Sequence, residues 1–77
     1  MQRTIVDRGF ERWEVFASSG PHGFPTPGRL VFRCLSDRDQ PSRALTFDGD
    51  RTRAEAAVQL GTASELRAYL ERAEALG

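Results

Sequence analysis

Two residues of this sequence have side chains suited to nucleophilic or acid–base catalysis, and their surroundings do not predict a catalytic site. His22 is the only histidine and lies in a stretch rich in proline and glycine, with no carboxylate or cysteine at a spacing that predicts contact. Cys34 is the only cysteine and alternates in phase with Leu30 and Phe32, which predicts a buried, unreactive thiol. We therefore expect a protein that is not an enzyme.

Metal and phosphate sites are also not indicated. The segment 48–50, Asp-Gly-Asp, begins like a cation-binding loop, but the further oxygen ligands and the closing glutamate are missing at the required spacing. The glycines Gly20, Gly23 and Gly28 lie close together, yet no helix begins directly after them, as a phosphate-binding loop requires. We expect neither a metal nor a cofactor.

Charge is balanced in this chain of 77 residues. Eleven basic residues, all of them arginine, oppose eleven acidic ones, which disfavours the strong phosphate binding that clustered positive charge produces. The single cysteine cannot form an internal disulfide, no apolar signal core follows the first residues, and no run reaches the ~18 apolar residues of a membrane span. These features predict a cytoplasmic protein.

The first half of the sequence alternates with the period of a β-strand. Strand-like stretches at 3–6 and 11–17 flank a turn at 7–9 and predict a first hairpin. Stretches at 29–35 and 43–47 predict a second. Between the hairpins, residues 18–28 hold three of the four prolines and predict a long loop that is neither helix nor interior strand.

After residue 50 the period changes to that of a helix. Thr52 and Glu55 fit a capping box for a short helix that ends near Leu60, before a glycine. Thr62 and Glu65 repeat the box, and the apolar spacing that follows predicts a longer helix over 63–76.

The order of elements predicts one α+β domain over residues 1–77, because a chain this short cannot build a second core. We expect a four-stranded antiparallel sheet of two hairpins, followed by one short and one longer C-terminal helix packed on one face of the sheet.

The opposite, outer face of that sheet is the predicted functional surface. Alternation places Phe16, Val31 and Leu35 there together with Arg33, an apolar and arginine-containing mixture typical of a protein interface. Phe24, in the proline-rich loop, is a further candidate contact. We expect self-association, as a homodimer, or binding to another protein. The alternative is that strand ends or the long loop fold back over Phe16 and Val31.

Short motifs such as 12–15, Arg-Trp-Glu-Val, and 65–71, Glu-Leu-Arg-Ala-Tyr-Leu-Glu, resemble those of small uncharacterised bacterial proteins of ββββα organisation, which implies a fold and no activity. The order of elements also resembles a PUR repeat, a unit that pairs and binds single-stranded nucleic acid. That resemblance implies an alternative function in which Arg12, Arg33 and Arg43 contact phosphates while Phe16 stacks on bases.

Overall fold

A computed structural model describes residues 2–19 and 27–76 of the chain. It is an α+β fold. Four antiparallel strands are followed by two helices, and a short fifth strand after the helices joins the same sheet. The elements in chain order are β1 Gln2–Val6, β2 Arg12–Ser19, β3 Gly28–Cys34, β4 Arg43–Thr46, α1 Arg51–Leu60, α2 Ala63–Arg72 and β5 Glu74–Ala75.

The sheet is an antiparallel meander with the strand order β1-β2-β3-β4-β5. Each strand pairs with the one before it, so that Ile5 lies opposite Trp13, and Trp13 opposite Cys34. Successive side chains of a strand point to opposite faces. One alternating set therefore forms an inner face against the helices, as the sequence pattern predicts.

The core lies between the inner face and the two helices. The buried members of the strands are Ile5, Trp13, Val15, Leu30, Phe32 and Cys34. The helices contribute four more buried side chains, Ala54, Val58, Leu66 and Leu70. Leu45 and Phe47 pack at the border of this cluster, where the Phe47 ring meets Tyr69 edge to face at 5.9 Å between centroids. No helix within the described residues is long and apolar enough to cross a membrane.

The sheet has five strands, so the predicted four is wrong by one. The predicted helix over 63–76 ends at Arg72, and the chain turns at Ala73 into β5. β5 pairs with β4, and the Leu76 N–H donates to the Ser42 carbonyl at 2.7 Å. Free backbone donors and acceptors on the edge of β4 favour pairing, and this pairing replaces the last turn of the predicted helix.

The cap of α1 also differs from the prediction. The Asp50 carboxylate, not the Thr52 hydroxyl, accepts the free Arg53 N–H at 2.9 Å, since aspartate is as good an N-cap as threonine. Glu55 is therefore not part of a box and pairs with Arg51 at 3.1 Å. The second predicted capping box, Thr62 with Glu65, is confirmed.

The strands on either side of the predicted loop over 18–28 reach further into that range than the sequence predicts. Ser18 and Ser19 continue β2 and Gly28 begins β3, because Ser19 lies opposite Gly28 in the ladder. Serine does not prevent a strand from donating and accepting backbone hydrogen bonds, so composition alone misplaces this boundary.

Arg3 joins the edge strand to the helical layer. Its guanidinium donates to the Val58 carbonyl at 3.1 Å and to the Gly61 carbonyl. Both carbonyls lie at the C-terminal end of α1, where the helix dipole favours a positive charge. β1 is thus held against the helix that covers its inner face.

Candidate functional site

The outer face of the sheet, which the helical core residues do not contact, is organised in rows across the strands. Residues that lie opposite one another in the register share a face. The middle row consists of Thr4, Glu14 and Arg33. On one side of it lies the row of Gln2, Phe16, Val31 and Ala44, and on the other the row of Val6, Arg12 and Leu35.

An ion pair dominates the middle row. Arg33 Nη2 lies 2.5 Å from Glu14 Oε2, and Glu14 is only 7% exposed. A carboxylate so enclosed needs a charged partner, and Arg33 supplies it while keeping most of its own side chain in solvent. The centre of the outer face therefore holds two charged side chains that already pair with each other.

The row containing Phe16 and Val31 is less available than the sequence suggests. The structure places both on the outer face, as predicted, but Val31 is only 9% exposed and Phe16 is half-buried. Surface that is already covered in the protomer gains little from a partner. Val31 is thus a minor candidate contact.

Apolar exposure concentrates at the other end of the face. Val6 and Leu35 are exposed on either side of Arg12, and the Leu35 N–H donates to the Arg12 carbonyl at 2.7 Å, which extends the register beyond β3. Phe10, in the β1–β2 connection beside this row, is 86% exposed. We call Val6, Phe10 and Leu35 the apolar end. It holds three of the five large apolar side chains that the described residues expose.

Asp7 organises the connection that displays Phe10. Its Oδ1 accepts the N–H groups of Gly9 at 2.8 Å and Glu11 at 2.9 Å, and its Oδ2 accepts the Trp13 indole N–H at 2.8 Å. Burial alone would raise the pKa of Asp7, but these hydrogen bonds, together with the charge of Arg43, lower it below its usual value. The carboxylate therefore stays ionised and holds the connection in one conformation.

The backbone of Phe10 adopts a conformation that is usually found at glycine. Its φ is +64°, a left-handed conformation that is a genuine outlier for a bulky residue. Sequence reasoning missed Phe10 because it assigned the turn to residues 7–9. The register that pairs Val6 with Arg12 leaves residues 7–11 as the connection, and the sequence alone does not show that register.

The arginines assigned to nucleic-acid binding are not brought together. Arg12 and Arg33 lie on the outer face, whereas Arg43 lies opposite Phe32 on the inner face and covers the Trp13 ring at 5.2 Å. Because Arg33 is paired with Glu14, this arrangement gives the PUR-like alternative little support.

The remaining candidate residues are Phe24 and His22 of the proline-rich segment and Cys34 of β3. Phe24 and His22 lie outside the described residues. The Cys34 thiol is buried, and the Glu11 carboxylate and the Ser36 hydroxyl each lie 3.8 Å away. Within the described ranges, no group of three or more histidine, cysteine, aspartate or glutamate side chains could hold a metal ion.

Comparison of the chain with protein-family models, with curated proteins and with solved structures finds no match.

Proposed function

We propose that this protein is a non-catalytic, cytoplasmic interaction module that forms homodimers through the outer face of its sheet. The observation that carries the proposal is the apolar end: Val6 and Leu35 are exposed on a face that the helical core residues do not contact, and Phe10 is exposed in the connection that follows Val6. Exposed apolar clusters with a charged border are typical of protein interfaces.

The apolar end supplies the driving force. Phe10 is nearly fully exposed in the protomer and is held by a connection that its own hydrogen bonds fix. A rigid aromatic side chain loses little conformational entropy on binding, and burying one contributes about 1.5–3 kcal/mol. Val6 and Leu35 add smaller amounts because each is already partly covered.

Charge selects the partner and the orientation. If a two-fold axis runs parallel to the strands between β2 and β3, Glu14 of one protomer faces Arg33 of the other, and the reverse. The same axis places Leu35 against the aliphatic part of Arg12. An in-plane axis across the strands through the row of Glu14 and Arg33 would instead oppose each of these side chains to its own copy, which is unfavourable. The face is therefore self-complementary in one orientation.

The size of the face sets the expected affinity. Four strands spaced about 4.8 Å apart and some six residues long give a face of about 400 Å². Stable complexes bury about 800 Å² per partner. We therefore expect a weak dimer that forms at tens to hundreds of micromolar protein.

Replacing Phe10 with asparagine should weaken dimer formation without lowering the stability of the folded protomer. Asparagine accepts the left-handed backbone more readily than phenylalanine, so the free energy of unfolding should stay the same or rise. The dimer loses two aromatic anchors, about 3–6 kcal/mol in total, so its dissociation constant should increase more than about 100-fold. Sedimentation equilibrium over a range of protein concentrations measures this change.

Leu60→Asn is the matched control, since Leu60 is 80% exposed but lies at the end of α1 on the helical side. We expect it to dimerise like the original protein. The proposal is wrong if Phe10→Asn dimerises normally, or if the unaltered protein stays monomeric at about millimolar concentration.

A further inference from the structure

A small cleft on the helical side of the sheet collects guanidinium groups from three elements. It has a volume of about 160 Å³ and lies where the β1–β2 connection meets β4 and α2. Arg8 comes from the connection, Arg43 from β4 and Arg67 from α2. Leu70 contributes an apolar wall.

Two carboxylates also line the cleft, and both are already engaged. Each Asp7 oxygen accepts hydrogen bonds from Gly9, Glu11 or Trp13. Glu71 Oε1 lies 2.9 Å from Arg8 Nε in a pair that is largely exposed and therefore readily exchanged. Three guanidinium groups against two carboxylates leave one net positive charge.

The other two arginines are positioned but unpaired. Arg43 is stacked on the Trp13 ring at 5.2 Å, and neither Arg43 nor Arg67 forms an ion pair with any residue that the structure describes. The Arg67 Nε is buried and has no hydrogen-bond acceptor among the residues that the structure describes. A ligand in the cleft cannot touch an atom that solvent does not reach, so an anion would contact the terminal nitrogens of the Arg67 guanidinium.

We propose that this cleft binds the carboxylate group of a small ligand. A singly charged anion matches the single excess positive charge, and the planar fork of a guanidinium pairs well with a carboxylate. The volume corresponds to about five water molecules, which suits a small monocarboxylate such as acetate or propionate. Ionised Asp7 at the cleft disfavours a doubly charged phosphate.

The fluorescence of Trp13 reports on this cleft, because Trp13 is the only tryptophan and contacts both Arg43 and Asp7. The protein is titrated with sodium acetate, sodium propionate and sodium phosphate at constant ionic strength, with sodium chloride as the blank. The protein concentration is kept below that of dimer formation, so the result does not depend on the outer face. We expect saturable binding of the carboxylates in the millimolar range, since so small a ligand has few atoms with which to bind.

Arg67→Gln should weaken acetate binding about tenfold, the effect of losing one charged hydrogen bond. Arg53→Gln is the control, because Arg53 is an exposed arginine of α1 that does not line the cleft, and its binding should change less than about twofold. Circular dichroism checks that each variant is folded, and Arg43→Gln replaces Arg67→Gln if the latter unfolds. The proposal is overturned if no carboxylate gives saturable binding, if phosphate binds more tightly than acetate, or if the Arg53 control weakens binding equally.

Discussion

An equimolar mixture of the Glu14→Lys and Arg33→Glu variants should form dimers, although neither variant should dimerise alone. In a dimer with the axis between β2 and β3, each variant by itself opposes like charges, positive in the first and negative in the second. Like charges at an interface cost several kcal/mol, so each homodimer should weaken more than about 100-fold. The mixed dimer restores both attractive pairs.

The double variant Glu14→Arg, Arg33→Glu is the control for the pair within the protomer. Because it reverses both charges at once, the ion pair inside each chain and the two pairs between chains all return. It should therefore dimerise like the original protein. Sedimentation velocity measures the four samples, and circular dichroism checks folding, since each single change breaks an ion pair whose carboxylate is largely buried and costs about 3 kcal/mol or more of stability. A mixture that remains monomeric while the original protein dimerises contradicts this axis.

Gly28→Ala should cause a large loss of stability. A Cβ at Gly28 would lie 2.6 Å from the Asp50 carbonyl oxygen and 2.9 Å from the Arg51 Cα. These are backbone atoms at the start of α1, and the Gly28 N–H also donates to the Gly49 carbonyl at 2.9 Å. Because neither side can give way without moving a helix or a strand, we expect a loss of about 2–4 kcal/mol.

Gly9→Ala is the matched comparison, because a Cβ there would meet only the Asp7 carboxylate at an ordinary 3.5 Å. Its stability should change by less than about 0.5 kcal/mol. For a chain of this length, 1 kcal/mol shifts the midpoint of thermal unfolding by about 4–8 °C, so calorimetry separates the two variants clearly. Equal midpoints for both variants would show that β3 and α1 do not approach so closely.

Much of the fold follows from local patterns. The inner face is predictable because Trp13, Val15 and Phe32 follow the two-residue period of a strand, and only one face of the sheet meets the helices. The start of α2 is predictable because Thr62 and Glu65 act on each other within three residues. In both cases the determining interaction is close in sequence or strictly periodic.

The predictions from sequence are wrong where the local structure depends on a residue that is distant in the sequence. Leu76 continues a helical period, yet its N–H bonds to Ser42 because β4 has a free edge. Asp50 and Thr52 are both good caps, and only the position of β3 against the helix start favours the earlier one. Local propensity cannot choose between such options.

In the candidate site, too, local pattern predicts some features and misses those that depend on distant contacts. The register confirms that Phe16, Val31 and Leu35 share the outer face, but it does not reveal how far each is covered. Phe10 was missed because Gly9 is the residue that ordinarily takes a left-handed turn position. Here Phe10 has the left-handed conformation, in a connection whose ends are set by the pairing of Val6 with Arg12 and by the contacts of Asp7.

The central claim, self-association through the outer face, is tested most directly by isotope-filtered nuclear Overhauser measurements on mixed dimers. One protomer carries ¹³C and the other does not, so only contacts between protomers are detected. The proposed dimer predicts contacts from the Leu35 methyl groups of one protomer to the Arg12 methylenes of the other. A dimer whose only contacts between protomers come from helical residues such as Leu60 or Tyr69 would contradict it.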